Sequence, residues 1–353
     1  MMATLLLLGF GCQRSEQSST SEVELPAWMS DNRSADASAI PVRLASDTPS
    51  AHLGLNLKQG DQFPLRKVVL QELTQNALDG EPQQNYSRLE MLLVIQVREK
   101  RDERVKLGVR YDRIKYEHQV GNETVSFDST TAGPDVVTGV VAYRDMINDG
   151  FSFWIGPDNQ IVEVEGLSEF LDRALRNVPP AQRQDVVLGM EAGAGDSGIA
   201  NFVDNTIGLL PYGKRTVPGD SWERQQQVTR PLAMHLSHVY TLKELTDNLA
   251  VIDIRGTISP SISLKNQNPS DVQVFVNGGS TIGSCTVFRD TGLPKESRID
   301  RNVEMTVVMA DSIQFRQNKR MTTIIECFPQ SVGKPLIVGE KPQGSIQQVS
   351  GSR

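Results

Sequence analysis

Through the middle of the chain apolar and polar residues alternate one by one. Val105, Leu107, Val109 and Tyr111 alternate with Lys106, Gly108, Arg110 and Asp112, which gives an extended segment one apolar and one polar face. The same period of two returns in Val303, Met305, Val307 and Met309, and in Ile252, Ile254 and Ile258. Half-apolar strands of this kind belong to antiparallel sheet, since strands of a βαβ fold are buried on both faces and read as unbroken apolar runs. "GPDNQ" (Gly156–Gln160) separates Phe151–Ile155 from Ile161–Val164, and "RDTGLP" (Arg289–Pro294) separates Cys285–Phe288 from the run that starts at Pro294. Gly, Asp, Asn and Pro favour the backbone angles of tight turns, so both stretches predict hairpins.

A central region departs from this pattern. In "LSEFLDRALRNVPP", Leu167, Phe170, Leu171, Ala174 and Leu175 share one helical face and Pro179-Pro180 stop the helix. Further helices are predicted over Ala181–Met190 and Ser197–Leu209, and a shorter one over Asp135–Ile147 with Val137, Val140, Val141 and Ile147 as its stripe. The fold class is therefore mainly β (α+β): a large curved antiparallel sheet or two sheets, with helices packed on the concave side. Its β-rich halves are about 53–165 and 215–329, and the helical insert is about 166–210. "GDQFPLRKVVLQEL" (Gly60–Leu73) and "GDSWERQQQVTRPL" (Gly219–Leu232) both start Gly-Asp-x-aromatic and lead into a strand. Either an internal duplication or convergence on one kind of turn accounts for the match.

The only long apolar run, Leu5–Phe10, is far shorter than the roughly 20 residues a membrane-spanning helix needs. It fits the core of a signal peptide, with Gly11 as the small residue before Cys12. "LLLLGFGC" resembles the lipobox of bacterial lipoproteins, although Gly9 stands where Leu is usual and no Lys or Arg precedes the run. That resemblance implies cleavage before Cys12 and acylation of it. One acyl chain holds a protein marginally, whereas two or more anchor it stably. Residues 12–52, rich in Ser, Asp, Ala, Pro and Glu, read as a disordered tether, 53–329 as the folded domain and 330–353 as a flexible tail. With 43 acidic against 36 basic residues and no long basic block, the chain lacks the footprint of a nucleic-acid binder.

Three stretches, "LLPYGKRTVPGDSWERQQQ" (209–227), "HVYTLKELTDNLAVIDIRG" (238–256) and "GSTIGSCTVFRDTGLP" (279–294), resemble an uncharacterised family of bacterial lipoproteins with a Pro-x-Gly-Asp-x-Trp element. The resemblance spans Leu53–Phe328. It implies a place in the cell envelope and carries neither an established activity nor functional residues.

Candidate chemistry is sparse. His235 and His238, three apart on a strand, face opposite sides of a sheet, so they do not form a two-histidine metal site, and after Cys12 only Cys285 and Cys327 remain as thiol ligands. "GDSG" (Gly195–Gly198) echoes the nucleophile segment of trypsin-like proteases, but a Ser197 nucleophile needs a histidine base. The chymotrypsin chain order leaves only His52 or His118 for that role. Glycines ending one helix and Asp196 or Ser197 capping the next explain the same residues. Hairpin counting sets Cys285 opposite Arg298 and Arg298 opposite Ile324, two strands from Cys285 to Cys327. That is about 10 Å, beyond the roughly 7 Å a disulfide bridges, so a bond there requires a bulge or a closing barrel. "VREKRDERVK" (Val97–Lys106) reads as a solvated hairpin tip.

The expectation is a lipid-anchored, extracytoplasmic, non-catalytic protein of the bacterial envelope without cofactor or metal. It holds an apolar ligand or lipid, with Trp154, Phe170, Phe202, Trp222 and Tyr240 lining the inner wall or forming plain core. The alternatives are an envelope scaffold whose exposed sheet binds another protein and, weakest, a serine hydrolase using Ser197.

Overall fold

The computed structural model describes residues 49–76, 82–133, 136–194, 203, 205–228, 232–261, 272–309 and 313–328. The expected leader (1–11), nearly all of the tether and the tail (330–353) lie outside the described residues.

Alternation at this length produces long strands. The first meander runs β2 (Gln62–Gln75), β3 (Gln83–Arg101), β4 (Arg104–Val120), β5 (Glu123–Asp128), β6 (Gly150–Ile155) and β7 (Ile161–Glu165), preceded by the short β1 (Ala51–His52). The second runs β9 (Ser221–Val228), β10 (Met234–Leu245), β11 (Leu249–Pro260), β12 (Val272–Phe288), β13 (Pro294–Met309) and β14 (Gln314–Cys327). A two-residue β8 (Arg215–Thr216) precedes it and pairs with β1.

Apart from that pair, all strands form one antiparallel sheet of twelve in the order β7-β6-β4-β3-β2-β14-β13-β12-β11-β10-β9, with β5 on the second half of β4. Of the two arrangements the sequence left open, a single large sheet is the one observed. The join is β14 against β2, with Ile325 opposite Lys67, which brings the last strand of the second meander beside the first strand of the first. At one end the sheet curls on itself, because Arg224 Nη2 on edge strand β9 donates to Asp158 O in the β6–β7 turn at 3.0 Å.

One face of this sheet is the core. Phe63, Leu65 and Val69 of β2, Leu89, Met91, Leu93 and Ile95 of β3, Leu107 and Val109 of β4, and Phe151 and Phe153 of β6 are all buried in one cluster. Helix α1 (Thr138–Asp145) and helix α2 (Leu167–Ala174) add Val140, Tyr143, Phe170 and Ala174 to it. Phe170 stacks on Tyr111 with ring centroids 5.5 Å apart. A second cluster joins Tyr240, Leu242, Ile252, Ile254, Cys285 and Val287 to Ala51, Leu53, Leu209 and Leu210. Segment 51–57 thus lies against inward residues of both meanders.

The two Gly-Asp elements fold alike. Gly60 (φ +93°) and Gly219 (φ +99°) adopt the left-handed conformation that favours glycine. Gly60 N donates to Val97 O and Gly219 N to Leu242 O, at 2.8 and 2.7 Å. Asp61 O accepts from Val97 N and Asp220 O from Leu242 N, both at 2.9 Å. Each carboxylate then accepts from the backbone N–H three residues back, Lys58 for Asp61 and Val217 for Asp220. The following Phe63 and Trp222 both point inward, opposite Ile95 and Tyr240.

The helical region differs from expectation in detail. Helix α1 starts at Thr138 and ends at Asp145; Ile147 lies beyond it and bridges to Tyr111. A 3-10 turn at Pro180–Gln182 leads into helix α3 (Arg183–Ala194), which runs past Met190. Ser197–Phe202 lie outside the described residues, and 205–209 are turns where a helix was expected. Asn205, Thr206 and Gly208 favour turns over helix interiors, and Gly208 N closes onto Val203 O at 2.7 Å. This compact turn buries Ile207, Leu209 and Leu210.

Both predicted hairpins form. In the second, Gly292 (φ +74°) sits so close to the crossing segment that a Cβ would lie 2.3 Å from Gly54 O. Gly292→Ala combines left-handed strain with a backbone clash and is expected to destabilise the fold by more than about 1 kcal/mol in urea unfolding; a smaller loss would show that segment 51–57 does not pack there.

Candidate functional site

Each inward position of a strand is fixed by the period of two, so the inner wall follows from register. Beneath α1 and α2 it is packed core: Ile114 and Phe153 are fully buried, and Phe170 is 2% exposed between Tyr111 and Phe151. Trp222 and Tyr240 are opposite each other on β9 and β10 with rings stacked at 6.0 Å, and Trp222 Nε1 donates to Leu209 O at 2.8 Å.

Trp154 is not part of the inner wall. Phe151, Phe153 and Ile155 take the inward positions of β6, which turns Trp154 outward. It is nevertheless only 6% exposed, because Arg101 and Lys106 lie over its ring at 5.4 and 5.5 Å and its Nε1 donates to Glu165 Oε1 at 2.6 Å. Long cationic side chains cover an aromatic face well. They come from the charged Val97–Lys106 stretch, whose tip Arg101–Arg104 is an exposed hairpin turn. Phe202, Ser197 and Cys12 lie outside the described residues.

Cys285 and Cys327 are free and buried on the inner face. Cys285 is opposite Ser297, one residue from the expected Arg298, because a bulge at the β12–β13 turn shifts the register. Burial pushes the Cys285 thiol up to about 12, so it behaves as an apolar side chain.

Beyond the helices the inner wall changes character. Val228, Met234, Leu236, Ile258, Val276, Val303 and Met305 form a third buried cluster, joined by Leu73, Leu232 and Val274. Its members come from strands β2 and β9–β13 and the β9–β10 connection; no described residue of α1, α2 or α3 belongs to it.

Between this apolar end and the packed end runs one polar row, which single-strand patterns do not show. Arg224 is opposite His238, His238 opposite Gly256, Gly256 opposite Thr281, Thr281 opposite Arg301, Arg301 opposite Met321, and Met321 opposite Gln71. His238, Thr281 and Arg301 are 7%, 1% and 3% exposed. The imidazole lies over Gly256, its Cδ2 only 2.4 Å from where a Cβ would stand. Burial, reinforced by the charge of Arg301, holds His238 at about 4 and Lys67, also on the inner face, at about 8. Ser297 Oγ donates to Asn205 O at 3.0 Å, which ties the 205–210 turns to the inner wall.

The outer face follows the ordinary logic of a wet sheet. Arg66 pairs with Glu90 at 2.9 Å and Glu326 at 3.0 Å, and Arg88 with Glu90 at 2.9 Å. Hydrogen bonding from Arg66 holds the Glu90 carboxyl down at about 2. A shallow hollow of about 380 Å³ opens on this face between Leu70, Glu72, Tyr86, Arg88, Glu117 and Arg320. Among the described residues no group of three or more His, Cys, Asp or Glu is arranged to hold a metal ion, and no helix is long and apolar enough to cross a membrane.

A large antiparallel sheet with one apolar, partly basic inner face defines the class of protein. The chain belongs to a family of unknown function, DUF6263, whose model matches residues 102–294, more than half its length. No curated protein matches it. Among solved structures it is similar to one titled "Lipid-protein interactions in lipovitellin", at 9% identity and a TM-score of 0.43, covering 79% of this chain and 26% of that one. The chain thus spans about a quarter of that protein's length. It is also similar to an outer membrane channel of Pseudomonas putida F1 (8% identity, TM-score 0.17, 78% of this chain and 97% of that one). A third is OccK11 of Pseudomonas aeruginosa (7%, 0.19, 77% and 98%).

Proposed function

We propose that the protein is a non-catalytic binding protein of the bacterial envelope, held at a membrane through a lipidated Cys12, that takes an apolar or lipid ligand against the inner face of its sheet. The observation that carries this reading is the third cluster, an apolar wall of strand residues to which no described helix contributes. The matched Gly-Asp turns support a further inference, that the two meanders arose by duplication of one unit.

Altering the wall tests the binding role. Val303→Ala, which keeps the position apolar and adds no bulk, is expected to change binding of hexadecanol to the full chain several-fold, Val303 being 3% exposed within the cluster; unchanged binding would count against this wall as the site. Cys12→Ser is expected to move the protein from the membrane to the soluble fraction, and retention there would contradict the anchor.

The scaffold reading has one observation in its favour. Ile282, 61% exposed, and Val239, 38% exposed, lie in one outward row with Arg255 between them. Such a patch suits a protein partner.

A further inference from the structure

On the outer face opposite charges pair where they meet: Arg66 reaches Glu326 on the next strand at 3.0 Å, and Lys115 reaches Asp128 at 3.1 Å. The hollow of about 380 Å³ on this face departs from that rule. Register sets its outward residues in two neighbouring rows. Arg320, Glu72, Tyr86, Gln119 and Thr124 stand opposite one another in turn across β14, β2, β3, β4 and β5. Thr322, Leu70, Arg88 and Glu117 do the same two residues along each strand. Glu72 therefore faces Arg320 and Glu117 faces Arg88, but neither couple closes to an ion pair; Arg88 turns to Glu90 at 2.9 Å instead. Glu72, Glu117 and Arg320 have no hydrogen-bond or ion-pair partner among the described residues. In their midst Tyr86 holds an aromatic ring on a residue 43% exposed, its hydroxyl donating to Gln84 Oε1 at 2.7 Å.

We propose that this hollow binds a neutral oligosaccharide, on the opposite face of the sheet from the apolar wall and independently of it. Carboxylates and guanidinium groups line it in equal number, and burial lowers the pKa of the neighbouring His118, so that ring adds no charge near neutral pH. That balance favours a ligand without net charge. Such a ligand needs many hydroxyls, since a carboxylate accepts from two donors at once and a guanidinium donates along one edge to two acceptors. Adjacent hydroxyls of a pyranose supply both. The exposed Tyr86 ring meets the C–H side of a sugar with its electron-rich face. Five strands spaced about 4.8 Å apart make the first row roughly 19 Å long, which suits a short chain of sugars better than a single ring. The volume falls within the range of about 300–1,000 Å³ typical of small-ligand sites. A zwitterionic headgroup is neutral as well but reaches across only part of such a row.

The test is calorimetric titration of the full chain with chitotetraose, cellotetraose and maltotetraose, beside phosphocholine and hexadecanol. At least one tetrasaccharide is expected to bind, and to bind more tightly than phosphocholine. Tyr86→Ala is expected to weaken that binding about tenfold, the upper end of what one aromatic contact gives. Glu72→Gln, which keeps the side chain's shape and removes its charge, is expected to weaken it several-fold, and it carries the test alone if Tyr86→Ala does not fold. Both variants are expected to leave hexadecanol binding unchanged, which separates this site from the apolar-ligand reading. Absence of binding by all three tetrasaccharides, sugar binding undiminished by either substitution, or phosphocholine binding more tightly than every sugar would overturn the site.

Discussion

Phe170→Ala is expected to lower the free energy of unfolding by about 3–5 kcal/mol, the usual cost of truncating a buried aromatic in a core that cannot collapse onto the gap. Phe170 is 2% exposed, stacks on Tyr111 with the rings 9° from parallel and meets Phe151 at 5.5 Å. Helix α2 has few other attachments to the sheet, with Ala174 its other fully buried residue. Losing Phe170 therefore loosens the helix as well as opening a cavity. Urea unfolding of the full chain reads the effect. A loss below about 1 kcal/mol would mean that Phe170 faces open space and belongs to a ligand wall after all.

Acidification between the ordinary histidine pKa and about 4 is expected to destabilise the fold through His238. Its folded-state pKa is depressed to about 4 by burial first and the Arg301 charge second, while the unfolded chain titrates near 6.5. Across that window the unfolded chain binds a proton that the native protein does not. Stability accordingly falls as pH drops from about 6.5 to about 4 and levels off below. The full shift corresponds to roughly 3 kcal/mol. Glu90, held at about 2 by Arg66, acts in a lower window, its contribution present above about 4.5 and lost as pH falls through 2. Unfolding midpoints measured from pH 7 to pH 4 check this, with His238→Gln expected to flatten the profile. An unchanged slope in that variant would show that His238 is protonated at little cost in the native state.

The sheet was legible because its strands are long and their alternation strict. Val105, Leu107 and Val109 point inward as their spacing requires, as do Val303, Met305 and Val307. Alternation fixes the face of each residue but not what covers it. Trp154 shows the difference: its outward position follows from Phe153 and Ile155, and its burial comes from Arg101 and Lys106 on a neighbouring hairpin. The expected helix over Ser197–Leu209 failed in its described part for another reason, since Asn205, Thr206 and Gly208 are turn formers and a compact turn buries Ile207 and Leu209 without a helix. The polar row was invisible in one dimension. His238, Thr281 and Arg301 each look like an isolated polar residue in an apolar strand, and only the register of four successive strands sets them in one row.

Register also explains the position of the thiols. Cys285 and Cys327 lie on strands separated by β13, so the sheet itself keeps them apart, whatever the redox state of the surroundings.

Native mass spectrometry of the protein purified with its membrane from its own cells tests the central claim most directly. The expected spectrum shows a chain beginning at Cys12 that carries covalent acyl mass, together with a non-covalent amphiphile released on activation. A chain with an intact N-terminus, no acyl mass and no releasable ligand would contradict an anchored binding protein.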